Sequence, residues 1–142
     1  MSIELIPLCT ATARLSAPFV LPNTPLGTQV IAELTAFDFE GERVRGHLKG
    51  NAAADWLTIG PTGIGTIDVR ALIETDDGAL IFISYRGRLD LSGGPGASPA
   101  YSAPLFETGD ERYAWINAIQ AVAKGTVSDG GASLVYEMYE VR

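Results

Sequence analysis

The chain has 142 residues, 46% of them hydrophobic and 19% charged, with a formal net charge of −7; this length predicts one domain, 1–142, able to bury a core without staples. Ten scattered Lys and Arg residues form no basic stripe, which sets nucleic acid aside as a partner. No apolar run reaches the ~20 residues of a membrane helix, and a single cysteine, Cys9, rules out an intrachain disulfide or a thiolate metal cluster. The opening residues alternate and carry Glu4 and Arg14, unlike a signal peptide. A soluble, cytoplasmic protein is expected, its acidity serving solubility.

Residues 2–17 alternate irregularly and predict a strand. Leu21-Pro-Asn-Thr-Pro-Leu-Gly27 predicts a turn, because two prolines fix φ and Gly27 is free to go positive. Residues 28–39 are β-branched and aromatic enough for a second strand. After Glu40-Gly41 the chain alternates again over Glu42–Lys49, with Arg43, Arg45, His47 and Lys49 on an outer face. Gly50–Ala54 predicts a loop or one helical turn, Asp55–Ile59 a short strand, and Gly60–Gly63 a turn.

Residues 66–89, TIDVRALIETDDGALIFISYRGRL, spell a β-hairpin. A two-residue loop at Asp77-Gly78 would mix charge and apolar bulk on one face. A three-residue loop, Asp76-Asp77-Gly78, pairs Thr75 with Ala79 and puts Ile67, Val69, Ala71, Ile73, Ile81, Ile83 and Tyr85 on one face. Asp68 then lies opposite Arg86, and Arg70 opposite Ser84. The second register is the expected one, with Gly78 in the left-handed position. Ser92–Pro99 predicts a long, small-residued loop, Tyr101–Phe106 a strand and Glu107–Glu111 a turn. Arg112–Lys124 is ambiguous between helix and strand, and the strand reading is favoured. Leu134–Val141 predicts a closing strand after the Ser128-Asp-Gly-Gly turn. The fold class is therefore all-β: a single antiparallel β-barrel of about eight to ten strands, calycin-like or similar, closed to remove its edges. Such a barrel can just hold one small ligand.

Asp55-Trp56, Asp68-Val-Arg70 leading into Thr75-Asp-Asp-Gly-Ala-Leu80, and Phe106-Glu-Thr-Gly-Asp with Arg112-Tyr-Ala-Trp-Ile-Asn117 occur in this order. Together they resemble a bacterial and fungal family known as domain of unknown function 3237, also called UPF 0311. The likeness runs from the Phe39-Glu-Gly turn to the C-terminal strand. It implies a small β-barrel and brings no established reaction or cofactor. The chain departs from the usual Gly-Gly-Ala-Asp-Trp stretch with Asn51-Ala-Ala-Ala-Asp-Trp56, and its loop after Asp90 is short and glycine-rich; either change could reshape a pocket mouth.

His47 is the only histidine, and it alternates with Arg45 and Lys49, so a solvated strand face accounts for it. One histidine makes a zinc site improbable. No serine sits in a G-x-S-x-G context. Asp76-Asp77 and Asp110-Glu111 are turn residues before they are metal ligands. Gly60–Gly65 has no following helix to cradle a phosphate.

Asp68, Arg70, Glu74 and Arg86 form the best constellation. They are either a surface ion-pair ladder, worth roughly 0.2–1 kcal/mol per pair, or the wall of a polar cavity. Leu72 and Phe82 share that face, which suits a pocket wall or a subunit interface. Tyr113, Trp115 and Asn117 share a face if their segment is a strand, and either line a site or satisfy a core; Asp55 invites the same two readings.

The expected function is binding of a small apolar or aromatic molecule inside the barrel, as a cofactor-independent isomerase, lyase or cyclase. Asp68 or Asp55 would be the acid or base and Tyr113 a proton donor. Arg70, Arg86, Trp115, Asn117 and Phe82 would hold the substrate. The alternatives are a non-catalytic binding protein and a structural oligomer with a solid core. Homo-oligomerisation is expected under all three.

Overall fold

A computed structural model describes all 142 residues. Ten strands form: β1 (Leu5–Leu15), β2 (Phe19–Thr24), β3 (Gly27–Glu40), β4 (Gly46–Ile59), β5 (Ile64–Thr75), β6 (Leu80–Asp90), β7 (Ala100–Ser102), β8 (Leu105–Glu107), β9 (Ala121–Ser128) and β10 (Ser133–Val141). Neighbours pair antiparallel in the order β1-β10-β9-β7-β6-β5-β4-β3, and β1 pairs with β3 to close an eight-stranded barrel. β2 adds to the edge of β3, and β8 to β6. No helix is long and apolar enough to cross a membrane.

The β5–β6 hairpin has the expected register. The Thr75 N–H donates to Ala79 O at 2.8 Å, Gly78 has φ +90°, and Asp68 faces Arg86 as Arg70 faces Ser84. Ile67, Val69, Ala71, Ile73, Ile81, Ile83 and Tyr85 are all buried. The clean face therefore looks into the barrel, because that is where apolar area leaves water.

Several boundaries differ from expectation: Leu21–Thr24 belongs to β2, Glu42–Arg45 precedes β4 without forming strand, and Tyr101–Phe106 is divided between β7 and β8. Two segments differ in kind. Gly50–Ala54 is no separate loop but part of the continuous strand β4, which bulges between Leu48, opposite Ile73, and Ala53, opposite Ala71. Gly50, at φ +59°, lets the chain make that step. The first half of Arg112–Lys124 is not a strand: Glu111–Ala118 is a 3₁₀ helix, and β9 begins only at Ala121. Asp110 caps the helix, its Oδ1 accepting the Arg112 N–H at 2.9 Å. The helix crosses one end of the barrel. Arg112 and Tyr113 grip the β5–β6 turn through Asp77, Trp115 lies beneath Arg43 of the β3–β4 turn, and Ile116 is fully buried.

That end is solid. Phe37, Phe39, Ile73, Ile81, Ile83 and Met138 fill it, with the two Phe rings 4.6 Å apart. Toward the other end the inward side chains no longer meet, and an internal space opens.

Candidate functional site

The space is a cavity of about 480 Å³ walled by Leu57, Ile67, Leu89, Val127 and Leu134, with Asp55 and Tyr136 among its lining residues. Its rim is the chain at Ser16–Pro18, Leu91, Pro95 and Gly130–Ala132. No lysine, arginine or histidine lines it.

Asp55 faces this cavity because of the bulge in β4. Leu48 faces inward opposite Ile73, and strict alternation from it would aim Trp56 inward and Asp55 out. Five residues of β4 against two of β5 reverse the parity, so Ala53, Asp55 and Leu57 point in and Trp56 points out. The Asp55 Oδ1 accepts the backbone N–H of Asp68 at 3.1 Å. Burial among apolar walls pushes its carboxyl up to about 7; the Asp68 N–H works against that rise and the Asp68 carboxylate adds to it.

Tyr136 and Tyr85 pack edge to face beside it, ring centres 5.6 Å apart at 69°. Desolvation pushes the Tyr136 phenol up to about 12, and the Asp55 charge also raises it. The Tyr85 phenol is raised too, first by burial, then by Tyr136. Both therefore stay protonated at neutral pH and are donors. Tyr136 has room because Gly125 lies opposite it: a Cβ there would sit 2.7 Å from the ring. A carboxyl near neutrality in an apolar cavity that a protonated phenol also lines can give or take one proton from a bound molecule.

Of the residues singled out from the sequence, only Asp55 lies in the cavity. Asp68, Arg70, Phe82 and Arg86 stand on the outer face, since the opposite face of their strands carries the core. The expected Asp68–Arg86 ladder is a register pairing without an ion pair; Arg70 instead stacks on Trp56 at 4.5 Å. Asp68 reaches the site only through its backbone N–H and its charge.

Tyr113, Trp115 and Asn117 belong to the helix at the closed end. The Tyr113 hydroxyl donates to Asp77 Oδ1 at 2.8 Å, Trp115 lies under Arg43 at 5.0 Å, and the Asn117 amide brackets the Thr108 backbone at 2.8 and 3.0 Å. His47 is exposed on the outer face, 3.8 Å from Glu74. The sequence does not single out Tyr85 and Tyr136 as site residues. The available signal was a phenol on an otherwise aliphatic inward face, and it shows only once the register of both strands is known.

A second cleft runs along the outside of β1 and β10 near Cys9, Glu40 and Arg43. The Cys9 thiol is buried and pushed up to about 12, and Arg43 is already paired with Glu140 at 2.9 Å. Neither is free for chemistry.

Residues 3–141 match the family profile described as "Protein of unknown function (DUF3237)". A UPF0311 protein of Bradyrhizobium diazoefficiens is 27% identical over 122 residues, 75% of this chain and 77% of that one. Among solved structures, a beta-barrel-like protein from Acinetobacter baumannii is 29% identical with a TM-score of 0.84, covering 100% of this chain and 98% of that one. A conserved protein from Rhodopseudomonas palustris is 21% identical (TM-score 0.87, 100% and 99% covered). A protein described as an enzyme from Penicillium herquei is 22% identical (TM-score 0.74, 99% and 94% covered).

Proposed function

The chain belongs to the DUF3237 family of small β-barrels, and on that premise we propose that its cavity binds a small, uncharged apolar or aromatic molecule and moves a proton within it. The carrying observation is Asp55, a carboxyl near neutrality facing an apolar cavity of about 480 Å³ beside the Tyr136 phenol. A lining without cations favours a ligand without a carboxylate or phosphate, because a buried anion needs a partner. The volume lies within the range of small-molecule sites.

Asp55 in its ionised form takes a proton from a carbon or hydroxyl of the ligand, and in its protonated form returns it to another atom of the same molecule. Tyr136 donates a hydrogen bond to the oxygen where charge develops. No electrons change hands and no co-reactant is consumed, so the reaction class is isomerase, lyase or cyclase without a cofactor. One protein of this fold is described as an enzyme, which agrees with this reading without extending to its substrate.

The test has two arms. Nile red, a neutral dye, should bind at one saturable site and be excluded by Ala132→Trp at the rim. Mixtures of neutral metabolites, followed by mass spectrometry, should yield a product isomeric with its substrate or differing by one small leaving molecule. That product should be lost with Asp55→Asn, fall roughly 10²-fold with Tyr136→Phe, and persist with Arg70→Ala. Turnover surviving Asp55→Asn sinks the acid–base role. Saturable binding with no turnover in any mixture favours a carrier that sequesters its ligand.

A further inference from the structure

The outer face of the barrel holds an apolar band that the cavity does not use. Phe19 (60% exposed), Trp56 (39%) and Phe82 (37%) lie along one groove with Ile31 and Leu72. Register explains why they meet. Phe19 pairs with Ile31, and Ile31 with Trp56, in one row across β2, β3 and β4; Leu72 pairs with Phe82 in a row nearer the closed end. The band therefore runs diagonally across the sheet, and the Arg70 guanidinium sits over the Trp56 ring within it. At about 200 Å² for each ring, the three aromatics alone leave roughly 270 Å² of apolar surface open. With their aliphatic neighbours this reaches the size at which exposed patches on a monomer are usually functional.

The charged side chains at this band include Asp68, opposite Arg86 in register, and Glu107, opposite Phe82; the two that lie on its opposite sides are Arg86 toward the cavity end and Glu33 toward the closed end. Both are exposed, and neither side chain has an ion pair or hydrogen bond within the chain.

We propose that this face is the contact between two copies of the chain, related by a two-fold axis along the band, with Arg86 of each copy meeting Glu33 of its partner. A two-fold lying in the contact plane carries each side of the band onto the opposite side of the partner's band. Arg86 and Glu33, on opposite sides and each without a partner of its own, are then self-complementary, and two ion pairs form at once. The composition is also that of an interface centre, with aromatics and a stacked arginine and no lysine. Chain-to-chain strand pairing at β2 contributes little, because Pro18 and Pro22 leave only Phe19–Leu21 between them at that edge.

Sedimentation of the intact chain should give about 30 kDa at roughly 20 µM, twice the 15.0 kDa of one copy. Phe82→Asp and Trp56→Asp change exposed side chains, so circular dichroism should be unchanged while the dimer Kd rises about 100-fold or more. Arg86→Glu and Glu33→Arg should each weaken the dimer about 10-fold through like-charge contacts. An equimolar mixture of these two single variants should regain it, because the mixed dimer restores both opposite-charge contacts. Four results overturn the proposal: a wild-type monomer at about 100 µM, a dimer indifferent to both aspartate substitutions, a mixture no tighter than its components, or a monomer that pellets with phosphatidylcholine vesicles.

Discussion

Asp55→Asn should stabilise this protein, and increasingly so as pH rises. In the folded chain the Asp55 carboxyl is held at about 7 against an ordinary value of 3.8. Between those values the folded state keeps a proton that the unfolded chain has released, so wild-type stability falls as pH rises through that window. The loss accumulates at about 1.4 kcal/mol for each pH unit and levels off above about 7, for a ceiling of about 4 kcal/mol. Part of the carboxyl faces the open cavity, and solvent there reduces the realised penalty to about 2 kcal/mol.

Asparagine keeps an oxygen to accept the Asp68 N–H and removes the charge. Urea unfolding at pH 4, 5, 6, 7 and 9 should therefore show the variant close to wild type near pH 4, and about 2 kcal/mol more stable at pH 7 and above, a gain of several degrees in Tm for a chain of this size. A stability difference that does not change with pH refutes the account of Asp55. So does a variant less stable than wild type at pH 9.

Three further outcomes test the scaffold. Phe37→Ala removes a fully buried ring packed at a tilt against Phe39 and should cost about 3–5 kcal/mol in denaturant unfolding. Thr75→Val leaves the Ala79 N–H without the Thr75 hydroxyl it reaches at 2.8 Å, and should cost about 1–3 kcal/mol by the same measurement. The Cys9 thiol, buried and pushed up to about 12, should resist iodoacetamide at pH 8 in the folded protein and react at once in urea; fast labelling of native protein would contradict its burial.

The barrel was legible because its evidence is local. In the β5–β6 hairpin, one register gathered Ile67, Val69, Ala71, Ile73, Ile81 and Ile83 on one face, and Gly78 supplied the left-handed residue that the three-residue turn needs. Burial then had only one way to choose the inner face. The helix at Glu111–Ala118 was not legible for the opposite reason. Tyr113, Trp115 and Asn117 alternate as a strand would, and their helical conformation depends on Asp77, Arg43 and Thr108, which are distant in sequence.

The candidate site divides along the same line. That Asp55 is a carboxylate beside a tryptophan, on a strand of a barrel able to hold a ligand, follows from the sequence alone. That Asp55 and not Trp56 faces inward was decided only when β4 paired with β5, because the bulge at Lys49–Ala52 reverses the alternation. The phenols whose ionisation its charge opposes, Tyr85 and Tyr136, come from strands β6 and β10, far along the chain. Alternation specifies which residues share a face within a run. Which faces converge, and across how much empty space, depends on bulges and ring closure, whose pairings join residues that sequence periodicity does not relate.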